Sequence, residues 1–150
     1  MKVGMGKAIA AIVGVFLLVV AGCSDPSPAD EALSTAAACG NIKFRHRPQI
    51  LSTSGETGWR GDALVALVAV IPSNEVSDFI TMSGLPQLTP GIPDDWLIRG
   101  LWRKDWGDSL RTANRSATKS VHVTEHPQRW VAVEDRKDGT SRVFLYLTCF

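Results

Sequence analysis

Histidines and adjacent carboxylates are the residues of this chain that could perform metal or acid–base chemistry. His122 and His126 have the spacing of helical zinc ligands, but they lie in a segment with strand alternation, where four residues span about 13 Å. Zinc needs three or four converging ligands, so this spacing predicts no metal site. The pair Asp94-Asp95 could act in acid–base catalysis only if its surroundings separated the two pKa values. Adjacent acids at the start of an element more often cap it or face solvent.

Nucleophile and phosphate-binding motifs are missing from the sequence. There is no Gly-x-Ser-x-Gly turn, no Gly-rich phosphate loop and no close pair of cysteines. We therefore expect no catalytic residue, no metal and no cofactor, and a protein that is not an enzyme.

Tryptophan and arginine are concentrated in one short segment. Trp96, Arg99, Trp102, Arg103 and Trp106 fall within eleven residues. These two residue types are enriched at the energetic centres of protein interfaces. In a domain of this size the same tryptophans could also form core, so the segment predicts either a recognition surface or part of the interior.

A second candidate surface comes from the alternation in residues 42–47. Apolar or aromatic side chains alternate there with the cations Lys43, Arg45 and Arg47. A period of two predicts a half-buried strand with one basic face. That face could contact anionic lipid headgroups or an acidic partner, or it could simply be solvated.

The N-terminus has the layout of a secretory signal peptide. A short basic region with Lys2 and Lys7 precedes an apolar run of 13 residues and then small residues before Cys23. The run is shorter than the roughly 20 residues that cross a bilayer comfortably. An uncleaved anchor, extended by Ala21 and Gly22, is the alternative.

The junction Val20-Ala21-Gly22-Cys23 resembles the lipobox of bacterial lipoproteins, with Val20 in place of the usual leucine. The resemblance covers about the first 25 residues. It implies cleavage before Cys23 and lipidation of that cysteine. It also implies attachment to membrane lipid, with the domain on the extracytoplasmic side of the cell membrane.

Three cysteines make an odd count for an exported protein. If Cys23 carries lipid, Cys39 and Cys149 remain as a pair. An oxidising compartment favours a disulfide between them, closing a loop of about 110 residues. Two buried free thiols are the alternative.

The charge balance implies no bulk polyelectrolyte partner. The net charge is +1, and without Lys2 and Lys7 the chain has 14 basic against 15 acidic residues. This balance gives no reason to expect nucleic acid binding.

The elements that position these residues divide the chain into three parts. Residues 1–22 are the expected signal peptide. Residues 23–38 read as a lipid-anchored tether or a short helix, with Ser27 as N-cap and Pro28 in the first turn. Residues 39–150 are expected to form a single globular domain, since their length suits one core.

Periodicity in that domain predicts an α+β fold. The unbroken apolar run 63–71 favours a central strand, although a buried helix would also fit. Residues 73–83 predict the main helix, N-capped by Ser73 and ended by Gly84. Asp138-Gly139 predicts a hairpin that pairs residues 129–134 with residues 142–149.

With strands at 42–47 and near 120–125, the sheet is expected to be antiparallel, with four to five strands and the helix on one face. Residues 52–62 predict a loop. Residues 95–106 fit a helix or a strand equally well.

The combined prediction is a membrane-anchored extracytoplasmic lipoprotein that binds or inhibits another molecule, such as an envelope protein, through a Trp/Arg-rich surface. A structural subunit of an envelope complex is the first alternative. An envelope hydrolase that uses Asp94, Asp95 or a histidine is the second.

Overall fold

The computed structural model describes residues 25–57, 62–94, 96 and 110–149. Its helices are α1 (Pro28–Gly40) and α2 (Val76–Met82), and short 3-10 turns cover Ser73–Glu75 and Arg115–Ala117. Its strands are β1 (Gln49–Thr57), β2 (Ala63–Pro72), β3 (Thr89–Pro90), β4 (Thr118–Val123), β5 (Gln128–Asp135) and β6 (Thr140–Cys149).

The described strands form one antiparallel sheet of six, in the order β1-β2-β6-β5-β4-β3. The α+β class is therefore confirmed, with more strands than the expected four to five. The last strand in sequence, β6, lies in the middle because its side chains are apolar on both faces. The predicted strand at 63–71 is β2, which pairs with β6 along ten residues.

Each face of the sheet has its own apolar core. Leu67 and Leu145 belong to the first core, which α1 and α2 cover. Ala66 and Phe144 belong to the second core, which includes Trp96 and Leu110. Alternate side chains of the central strands thus face opposite layers, and α1 and α2 lie on the same side.

Helix α1 lies in the segment 23–38, for which the sequence predicted either a tether or a short helix. The Ser27 hydroxyl accepts a hydrogen bond from the Asp30 amide at 3.2 Å, and Asn41 ends the helix with a left-handed φ of 52°. Ala32 and Ala36 are buried against the sheet. Helix α1 therefore packs on the domain that was expected to start at residue 39.

Helix α2 confirms the predicted helix, but Ser73 does not cap it. The first turn is 3-10, and Pro72 precedes it without a side-chain cap. The Ser73 hydroxyl lies 2.9 Å from that of Ser141, so it is not the N-cap. Gly84 follows the helix at a φ of +58°, in agreement with its predicted role. At seven residues, α2 is shorter than the 13-residue α1.

The hairpin between β5 and β6 is confirmed. Gly139 has a φ of +79°, which a residue with a side chain rarely adopts. The Asp138 carboxylate accepts bonds from the Thr140 hydroxyl at 2.6 Å and the Thr140 amide at 3.0 Å. These bonds lower the pKa of Asp138, since they stabilise its charged form.

Strand β1 lies where the sequence predicted a loop from residue 52 onwards. It is rich in Ser, Thr and Gly, and it pairs with β2 at the edge of the sheet, with an irregularity near Leu51. Backbone hydrogen bonds to β2, rather than a pattern of apolar side chains, hold this segment in the sheet. No helix within the described ranges is long and apolar enough to cross a membrane.

Candidate interaction surface

The segment 41–48 has no regular secondary structure and does not join the sheet. The Ser83 hydroxyl accepts a hydrogen bond from the Lys43 amide at 2.9 Å and donates one to the Lys43 carbonyl at 3.3 Å. The Phe44 ring stacks on Phe79 at 5.1 Å between centroids. The prediction of a strand at 42–47 is therefore wrong. Apolar and basic side chains do alternate in this segment. The apolar ones, however, pack towards α2 and do not form part of the sheet.

Two of the three predicted cations in this segment are already paired. Arg45 contacts Asp78 at 2.7 Å, and Arg47 contacts Asp30 at 2.6 Å. Among the described residues, no carboxylate lies within ion-pair distance of Lys43. Pairing leaves this face with much less free positive charge than the sequence suggested. The pairs are largely solvent-exposed, so their contribution to stability is small.

The Asp30 carboxylate links this segment to α1. Hydrogen bonds from the Ser27 hydroxyl and the Arg47 guanidinium lower its pKa below the ordinary value. Because the pKa is lower in the folded than in the unfolded chain, the group favours folding above its unfolded pKa. That contribution is lost as the pH falls through the folded pKa.

A shallow groove, called here the 41–48 groove, lies between α1, the segment and the end of α2. Its volume is about 380 Å³, and its apolar lining includes Leu33, Ala37, Phe44 and Met82. Met82 is 42% exposed, and among the described residues it is one of two large apolar residues on the surface, the other being Leu51. Lys43, Arg45 and Arg47 also line the groove. An apolar centre with a charged rim is the usual composition of a protein-binding surface.

Arg129 holds the two helices that frame this groove. Its guanidinium donates to the carbonyls of Gly40 at 3.3 Å and Ser83 at 2.9 Å, at the C-terminal ends of α1 and α2. A cation there complements the partial negative charge of a helix end. Burial lowers the pKa of Arg129, and the nearby Glu125 opposes that shift.

Of the Trp/Arg segment, only Trp96 is among the described residues, and it lies in the core. Trp96 is 2% exposed and belongs to the second core, so it cannot contribute to a recognition surface as predicted. Arg99, Trp102, Arg103 and Trp106 lie outside the described residues. For Trp96, the interior alternative is therefore the correct one.

The predicted disulfide between Cys39 and Cys149 is present, with the two Cα atoms 6.0 Å apart. It connects the last turn of α1 to the end of β6. Cys23, the proposed lipidation site, lies outside the described residues.

The residues considered for acid–base or metal chemistry are scattered. Asp94 pairs with Arg115 at 3.3 Å, and its side chain is 83% exposed. Asp95 is outside the description. The ring of His122 stacks on Trp130 at 4.3 Å, and His126 lies beyond the end of β4. The described ranges contain no group of three or more His, Cys, Asp or Glu side chains placed to hold a metal ion.

Sequence reasoning missed a buried ion pair on the second face of the sheet. Glu134 is 6% exposed and accepts bonds from Arg142 Nε at 2.8 Å and Nη2 at 2.7 Å. Its other carboxylate oxygen, Oε1, accepts a hydrogen bond from the backbone N–H of Asn114 at 2.7 Å. The two charges lie opposite each other across β5 and β6. Their alignment could have been read from the Asp138-Gly139 hairpin register, but their burial could not.

Comparison with known proteins gives no relative: no protein-family model, curated protein or solved structure matches this chain.

Proposed function

We propose that this protein is a lipid-anchored extracytoplasmic binding module that contacts an envelope protein through the 41–48 groove. The lipobox resemblance supports the location. The exposure of Met82, in an apolar groove with cations around it, is the observation that carries the contact surface. This surface replaces the Trp/Arg segment as the leading candidate, because Trp96 is buried.

The chemistry of the groove favours a protein partner over lipid headgroups. Arg45 and Arg47 are already paired with carboxylates, so they offer little net charge to an anionic bilayer. Lys43 remains available for a partner carboxylate. A complementary segment would place an apolar side chain against Phe44 and Met82 and an acidic residue beside Lys43.

A permanent structural subunit is less well supported. Obligate interfaces are large and apolar. In the described part of the chain, Leu51 and Met82 are the large hydrophobic side chains classed as exposed. A hydrolase centred on Asp94 is not supported either, since that carboxylate is exposed and paired with Arg115.

The anchor can be tested with a Cys23→Ser variant of the full chain, expressed in a bacterium that processes lipoproteins. We expect the wild type to fractionate with membranes and to carry the added mass of a diacylglycerol after loss of residues 1–22. The variant should lack that mass and remain unprocessed. A wild-type protein with an unmodified Cys23 would contradict the anchor.

The contact surface can be tested with a photo-crosslinking amino acid in place of Met82 in the full chain, in cells that naturally produce it. We expect a light-dependent adduct with one envelope protein, reduced at least about five-fold by Lys43→Glu, because charge reversal repels the partner's carboxylate. The matched control, Lys137→Glu, changes an exposed lysine near the β5–β6 hairpin and should leave the yield unchanged.

A second variant, with the photo-crosslinking amino acid in place of Lys137, provides the control for position. Equal adducts from positions 82 and 137 would contradict the proposed surface. Adducts formed with phospholipid alone would instead favour the lipid-headgroup interpretation of Lys43, Arg45 and Arg47 and overturn the proposal.

A further inference from the structure

A second concave site lies under α2, on a different stripe of that helix from the one facing the 41–48 groove. It has a volume of about 420 Å³, within the range of small-molecule sites. Its walls are Val76 and Ile80 of α2, Leu88 of the following connection and Val133 of β5. These side chains make the interior apolar. We call it the α2 cavity.

The polar residues that line the α2 cavity include charges of both signs. They are Gln87, Lys119 of β4 and Asp135 of β5. Lys119 lies opposite Val133 in the sheet, so Asp135 is its diagonal neighbour, and the Cβ atoms of such neighbours lie within about 7–8 Å of each other. Both charged residues are solvent-exposed, and within the described chain they do not form an ion pair with each other.

The Asp135 carboxylate is held by a chain of hydroxyl groups. Ser141 donates to Asp135 Oδ1 at 2.9 Å, and the Ser73 hydroxyl lies 2.9 Å from that of Ser141. Ser141 is fully buried, which fixes this arrangement. One carboxylate oxygen is thus engaged inside the protein, and no hydrogen bond to Oδ2 is found among the described residues, so Oδ2 can accept a bond from a ligand.

We propose that the α2 cavity binds a free α-amino acid with an apolar side chain. The ligand ammonium donates to Asp135 Oδ2, its carboxylate accepts from Lys119 Nζ, and its side chain occupies the apolar interior. A fatty acid would satisfy Lys119 alone, and an alkyl amine would satisfy Asp135 alone. A zwitterion on an apolar side chain is the ligand class that complements both charges and the interior. This site does not depend on the lipid anchor or on the 41–48 groove.

Calorimetry on the full chain in a mild detergent tests the proposal. L-Leucine and L-phenylalanine are the ligands, and two analogues of leucine each lack one charge: leucinamide has no carboxylate and 4-methylpentanoate has no ammonium. We expect each analogue to bind at least about ten-fold more weakly than leucine, since hydrogen bonds to charged groups contribute strongly.

Two variants assign the charges. Lys119→Gln should weaken leucine binding at least about ten-fold. It should leave leucinamide binding unchanged, because leucinamide has no carboxylate to accept a bond from Lys119. Asp135→Asn should weaken leucine binding similarly while leaving 4-methylpentanoate unaffected. Lys137→Gln, an exposed lysine outside the cavity, is the matched control and should change nothing. Far-ultraviolet circular dichroism verifies that each variant is folded.

Three results would overturn the assignment. The first is no binding of either amino acid at concentrations up to about 10 mM. The second is binding that neither Lys119→Gln nor Asp135→Asn weakens. The third is tighter binding of 4-methylpentanoate than of leucine, which would make the cavity a site for short fatty acids.

Discussion

Replacing both Cys39 and Cys149 by alanine should lower the free energy of unfolding by about 4 kcal/mol. The disulfide closes a loop with a sequence separation of 110 residues, and its main effect is to restrict the unfolded chain. It also attaches α1 to the sheet. That attachment matters because α1 packs mainly through small side chains such as Ala32 and Ala36, which bury little apolar area.

Guanidinium unfolding of the full chain in detergent, followed by tryptophan fluorescence, measures this loss. Cys23→Ala is the matched control, because it removes a cysteine that we assign to the anchor rather than to the disulfide, and it should leave the unfolding midpoint unchanged. A loss below about 1 kcal/mol would contradict the expectation. If the double variant does not fold, alkylation of the native wild type gives a separate test: labelling of Cys39 or Cys149 would rule out the bridge.

The second large effect is expected from Arg142→Met, which should cost about 3 kcal/mol. Glu134 is 6% exposed as a residue, and the substitution leaves its carboxylate without its cation. An uncompensated buried charge is among the most destabilising changes in a protein interior. The cation–π contact of Arg142 with Phe144, at 5.0 Å, is lost as well.

A double-mutant cycle separates charge from packing. Adding Glu134→Gln to Arg142→Met removes the buried charge, so the double variant should be more stable than Arg142→Met alone. Arg136→Met is the control: it breaks the exposed Arg136–Asp138 pair at 3.3 Å and should cost less than about 1 kcal/mol. Equal losses from Arg142→Met and Arg136→Met would show that the buried pair has no special role.

The centre of the fold could be predicted from the sequence because its signals are local. The apolar run in β2 and the Asp138-Gly139 turn each define one element and its neighbour. Residues 42–47 show the limit of such signals. A period of two indicates an extended segment with one buried side, but it does not say whether that side meets a strand or, as here, α2.

The candidate sites were less predictable, since they depend on distant residues. The α2 cavity combines residues from Val76 to Asp135, and none of them is unusual in its own sequence context. Arg45 and Arg47 were identified as cations, but their partners Asp78 and Asp30 lie on other elements. Trp96 could not be assigned to core or surface, because composition does not tell which side of a segment faces the sheet.

The central position of β6 has a consequence for how the chain acquires its structure during synthesis. Among the described strands, the β1–β2 hairpin and the strands β3 to β5 are joined in the sheet only through β6. Until residues 140–149 are available, the two halves cannot share one hydrogen-bonded ladder. Their pairing is also non-local, which slows folding. The nascent chain therefore cannot complete this sheet until residues 140–149 have left the ribosome, so the two halves wait for the strand that joins them.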